Sequence, residues 1–148
     1  MRFRSVSFAN ISDLVIFIRT GFWSAIIPII LDILAVPSAF RAITPRRSPP
    51  PKKRVTRSVQ KAVEYAEFWI RVRRRFLATT CYQRSAILYR CLREQGIPVR
   101  VAIGLRQSQP SSRNKKSFIG HSWLILGKRP VLEARKDLKT YTVTYMYP

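Results

Sequence analysis

The chain has 148 residues, 47% of them hydrophobic, which suits one domain with a modest core and excludes disorder throughout. Lys and Arg number 28 against seven Asp and Glu, a net charge of +21 that directs the chain toward anionic partners: nucleic acid, acidic peptide or phospholipid headgroup. Charge alone does not choose among them.

In chain order the first predicted unit is residues 1–43. Its stretch TGFWSAIIPIILDILAVPSAF, Thr20 to Phe40, is mostly apolar, but Asp32 interrupts it, Pro28 and Pro37 break its regularity, and Arg19 and Arg41 flank it. That is not a clean membrane span. Asp13, Arg19 and Asp32, inside or beside the apolar run, likewise count against a signal peptide. A buried helical pair is expected, with a membrane-surface segment over residues 11–43 as the alternative; its apolar face also suits docking to a partner protein.

Residues 44–57, TPRRSPPPKKRVTR, hold four prolines and six basic residues and read as an extended, solvated linker. A core spanning 58–148 follows. Between Thr56 and Leu77 the spacing of Val59, Val63, Ala66, Ile70 and Leu77 predicts a helix with one apolar face. Arg71, Arg73, Arg74 and Arg75 crowd its last turns, where the helix dipole favours cations.

Thr79 and Thr80 are good N-caps, Gly96 suits a left-handed helix end and Pro98 stops continuation, so the next helix is expected from about Cys81 to Gln95. Cys81 then sits in the first turn. There the dipole and unpaired amides favour a thiolate, and Arg84 adds to this. Its face continues through Ser85, Leu88 and Leu92. Cys91, ten residues on, is about 15 Å away along such a helix, beyond the roughly 7 Å a disulfide allows, and reads as core. Two unpaired cysteines argue for a reducing compartment, the cytoplasm.

A nucleophilic cysteine needs a base, and the chain has one histidine, His121. In SFIGHSWLILGKRPVLEARKDL, alternation puts His121, Trp123 and Ile125 on one strand face and Gly120, Ser122, Leu124 and Leu126 on the other. Only Glu133 and Asp137 follow as candidate orienting acids. If Gly127, Lys128 and Arg129 form the loop, Leu126 pairs with Pro130, His121 falls opposite Arg135, and both acids are diagonal neighbours of His121. A two-residue loop turns both acids to the wrong face, so an odd loop is expected. Parity does not separate Glu133 from Asp137. One His and two separated Cys do not make a zinc ligand set, so no metal or cofactor is expected.

CYQRSAILYRCLREQGIPVRVAIGLR followed by FIGHSWLILGKRPVLE resembles the lasso-peptide B proteins, cysteine peptidases of the transglutaminase-like, papain-like superfamily that remove the leader from a lasso precursor. Cys81, Gly96, Ile103 with Gly104, His121, Trp123, Arg129 with Pro130, and Glu133 fall on that pattern in order. The resemblance runs from about Thr79 to Glu133, and the apolar N-terminal half with its basic link looks like the family's short members. Ser122 stands where Ala is usual, Ile125 where Glu is frequent, and Glu133 where Asp is usual.

The resemblance implies an α+β fold: a helical N-terminal unit, then a papain/transglutaminase-like core with the Cys-bearing helix packed on an antiparallel sheet. It implies a catalytic triad of Cys81, His121 and Glu133, with Asp137 as fallback, and an oxyanion donor at the Cys81 backbone amide. Implied partners are the leader of a precursor peptide, a separate small leader-recognition protein and a lasso cyclase. Two rival readings remain. A transglutaminase-like acyltransferase shares the triad; a nucleic-acid-binding protein accounts for the charge but presents no recognised module, and most aromatics fall at core-like positions.

Overall fold

A 23-residue helix, α1 (Ile11–Ile33), opens the part of the chain that the computed structural model describes, residues 10–46, 50, 57–108 and 118–148. Asn10 caps it by accepting from the Asp13 amide at 3.0 Å. The short helix α2 (Val36–Ile43) follows, with Pro37 in its first turn where no amide is missed. The basic link expected over 44–57 lies mainly outside the described residues.

Helix α3 (Arg57–Arg73) runs parallel to α1, because their contacts advance together: Lys61 on Asp13 at 4.0 Å, Tyr65 on Phe17 at 5.3 Å between ring centroids, and Arg73 on the Ser24 carbonyl at 3.3 Å. Parallel neighbours require the chain to travel back about the length of α1, roughly 34 Å, before α3 begins. Of the apolar face read from sequence, Val59, Ala66 and Ile70 are buried, whereas Leu77 lies beyond the helix and is exposed.

Helix α4 (Cys81–Glu94) ends as its sequence dictates. Gly96 takes φ +79°, the Ile97 amide donates to the Leu92 carbonyl and the Gly96 amide to that of Arg93, a Schellman closure. The chain then enters β1 (Arg100–Gln107), β2 (Phe118–Leu126), β3 (Arg129–Val131), the single turn α5 (Arg135–Leu138) and β4 (Thr142–Tyr147). The sheet is antiparallel throughout, in the order β3-β2-β1-β4. Helices and sheet together make the expected α+β fold.

Alternation along the strands feeds two clusters. Val101 and Leu124 join Ile27, Phe40, Ile43, Ala66, Ile70, Leu88 and Leu92 in the main core beneath the helices. Ala102 and Trp123 point to the other face, against Leu138 of α5. Each fully buried Leu, Ile or Phe contributes about 1.5–3 kcal/mol. Phe40, Tyr82, Tyr89 and Tyr147 pack against one another, with Phe40 and Tyr147 stacked at 5.1 Å.

The expectation of a buried helical pair holds for α2, where Ala39, Phe40 and Ile43 are fully buried. It fails for one face of α1, where Ile11, Ile18, Phe22, Ile29 and Ile33 are exposed. The reason is that α1 contacts α3 and α4 along a single stripe, and that stripe includes Asp13, Thr20 and Ser24.

Candidate functional site

Cys81 is the first residue of α4 because Thr80, in an extended conformation, caps it. The Gln83 amide donates to Thr80 Oγ1 at 3.2 Å and the Thr80 amide donates to Gln83 Oε1 at 3.4 Å, a reciprocal capping box. Such a cap contributes about 1 kcal/mol. The half-buried Cys81 thiol therefore lies at the positive end of a fixed helix.

One turn along, the Ser85 hydroxyl donates to the Ser122 carbonyl at 2.8 Å. Every second residue of an antiparallel strand offers its carbonyl to the same neighbour. Leu126 and Leu124 pair with β3, but Ser122, next in that series, has run past its end at Val131. The side chain of Ser85 takes the free carbonyl, which seats the first turns of α4 at the segment of β2 that carries His121.

His121 pairs across β1 with Gly104. A Cβ at Gly104 would stand 2.7 Å from the Trp123 ring, so only glycine lets that ring lie across β1. Trp123 stacks on His121 with centroids 6.0 Å apart, and Tyr141 meets the imidazole at 5.4 Å. These rings limit how the imidazole can turn. His121 Nε2 lies 2.7 Å from Glu133 Oε2. A carboxylate accepts, so Nε2–H donates and Nδ1 is left to take a proton from elsewhere.

Glu133 is itself held. Arg84 Nη1 reaches its other oxygen, Oε1, at 3.4 Å, while Nη2 and Nε of the same guanidinium donate to Glu67 Oε1 at 2.6 and 3.0 Å. A chain Glu67–Arg84–Glu133–His121 thus links α3, α4, the segment after β3, and β2. Sequence reasoning set Arg84 beside the thiol; its guanidinium is committed to two carboxylates. It missed Glu67 altogether, and the available signal was scarcity: with seven acidic residues in a chain of +21, each carboxylate is a candidate partner.

The hairpin corrects the expected geometry. Leu126 pairs with Arg129, not Pro130, and Ile125 with Pro130, so the loop is the two residues Gly127 and Lys128, with Gly127 at φ +61°. By strand parity this would send Glu133 to the wrong face. It does not, because Leu132 adopts φ +66° and ends the strand after Val131. Parity stops there, and no register extends to put Arg135 opposite His121. The requirement for an odd loop is therefore removed. Asp137 sits exposed in α5, and the carboxylate at hydrogen-bond distance from His121 is that of Glu133.

Cys91 contrasts with Cys81: it is buried in the main core, and burial pushes its thiol up to about 12, with Glu94 nearby adding to this. Among the described residues no group of three His, Cys, Asp or Glu could hold a metal ion.

The model of the transglutaminase-like superfamily matches residues 28–146, from within α1 to β4. The chain belongs to the transglutaminase-like superfamily. No curated protein and no solved structure matches it. This superfamily includes cysteine peptidases and acyltransferases, which are typically cysteine-dependent enzymes. Within this transglutaminase-like core, the half-exposed cysteine at the start of α4 and the one histidine of the chain belong to elements joined directly through Ser85 and through Arg84 and Glu133.

Proposed function

We propose that the chain is a cysteine peptidase that removes the leader from a lasso-peptide precursor, with Cys81 as nucleophile, His121 as general base and acid, and Glu133 as the orienting carboxylate. The observation that carries the triad is the 2.7 Å bond between His121 Nε2 and Glu133 Oε2, which leaves Nδ1 as the proton acceptor. The lasso substrate rests on the sequence resemblance from Thr79 to Glu133.

In this reading His121 Nδ1 takes the proton from the Cys81 thiol, and the thiolate attacks the scissile carbonyl of the leader. The tetrahedral oxyanion faces the backbone amide of Cys81 at the head of α4. His121 then returns the proton to the leaving amine as the C–N bond breaks, giving a thioester that water hydrolyses to a carboxylate and the free thiol. In this reading a separate leader-recognition protein and a lasso cyclase are the partners. Its two free cysteines fit a reducing cytoplasm. Nucleic acid has no part in this reading, since aromatics such as Phe40, Tyr89 and Tyr147 are spent on one another.

The test is to search the neighbouring genes for a short precursor peptide, incubate the chain with it and weigh the products. Leader with a new carboxylate, absent with Cys81→Ala, supports the peptidase. Amide product formed with an added primary amine, at the expense of acid, assigns the acyltransferase alternative. A gene neighbourhood without a precursor, an asparagine-synthetase-like cyclase or a small leader-binding protein counts against the lasso substrate.

A further inference from the structure

Helix α1 is apolar on its outer face as well as its inner one. A helix on the surface of a water-soluble protein buries its apolar stripe and exposes its polar one. Here the inner face buries Ile27 and Pro28 along with Asp13, Thr20 and Ser24, while Ile11, Ile18, Phe22, Ile29 and Ile33 are 53–79% exposed. At about 100° per residue these five fall on one line along the helix, with Leu14 and Val15 beside it, also exposed. The line runs the full length of α1, a continuous apolar strip rather than scattered surface residues.

We propose that this face of α1 lies on an anionic membrane surface. Charge selects that occupant. The chain carries +21, and Arg71, Arg74 and Arg75 are exposed at the end of α3, which the contact of Arg73 with the Ser24 carbonyl sets beside the middle of α1. Exposed Phe76 and Leu77 follow directly, in the link from α3 to Cys81. Apolar residues among arginines match the boundary between acyl chains and anionic headgroups. A second copy fits worse, because pairing through α1 would bring two chains of +21 together.

α1 is long and apolar enough to cross a bilayer, yet it lies on the surface. Its inner face holds Asp13 within 4.0 Å of Lys61, and its Phe17 and Ser24 carbonyls accept from Trp69 and Arg73. Crossing would strip those partners away inside hydrocarbon, where unpaired polar groups are costly. The docked face is independent of the reaction at Cys81.

The experiment is cosedimentation of the full chain with phosphatidylcholine vesicles, with and without phosphatidylglycerol. Binding is expected to the mixed vesicles, weaker to phosphatidylcholine alone, and reduced but not abolished by salt. The double variant I18S/F22S is expected to lose roughly tenfold or more in partitioning, with circular dichroism and Cys81 alkylation unchanged. If it fails to fold, I29S/I33S replaces it. Equal binding by wild type and variant would overturn the proposal, since charge alone would then hold the chain. So would failure to pellet with anionic vesicles, or a dimer in solution that the same variants disperse.

Discussion

Cys81 and Cys91 share one helix, and their surroundings have almost nothing in common. Cys81 stands at the amide-rich start of α4, half-buried, its helix tied by Ser85 to the strand of the one histidine. Cys91 is embedded where α4 meets Thr20 of α1, and burial holds its thiol protonated. Thiol chemistry here is decided by place along the helix: the first turn offers unpaired donors and an open side, and the middle offers neither.

The largest effect should come from testing that difference directly. Cys81→Ala should cost about 10⁴-fold or more in the proposed leader cleavage, whereas Cys91→Ala should retain most activity and lose about 1 kcal/mol of stability. Equal losses in two folded variants would erase the distinction. The same contrast can be read without substrate. Because the raised value keeps Cys91 neutral well above neutral pH, limiting iodoacetamide should label Cys81 first, and peptide mapping that finds Cys91 labelled first would break the comparison.

Next in size is the acid. Glu133→Gln keeps the proposed nucleophile and base but loses the carboxylate 2.7 Å from His121 Nε2, so turnover should fall about 10²-fold or more with KM little changed. Asp137→Asn should stay near wild type; steady-state kinetics on both variants distinguishes them, and a crippled Asp137→Asn would move the orienting role to α5.

Arg84→Gln should lie lower, at roughly tenfold in kcat, because Glu133 loses one anchor but keeps His121. Arg84→Lys should recover only part, since an ammonium cannot fork between Glu67 and Glu133. The smallest effect is expected at Ser122, whose buried hydroxyl has no hydrogen-bond partner among the described residues. Ser122→Ala should change stability by no more than about 0.5 kcal/mol in a thermal melt, or raise it.

Much of the site was legible because local chemistry fixes it. Thr80 marks the start of α4, Gly96 its end, and alternation the face of His121. The hairpin was not, since a leucine at positive φ leaves no local mark and parity arguments assume an unbroken strand. Glu67 was hidden for a different reason: its partner lies on another helix, and no period in the sequence connects them. α1 misled because apolar content reports a need for cover without saying which phase supplies it.

The early end of β3 also bears on aggregation. Sheet edges invite pairing with other chains, and proteins blunt them with short strands, bulges or covering elements. One margin of this sheet is a three-residue strand whose vacant neighbour, the Ser122 carbonyl, is taken by Ser85; the other is β4, where the register shifts between Ile103 and Gly104. Shortening β3 therefore gives α4 its seat and also removes a template on which a second molecule could add a strand.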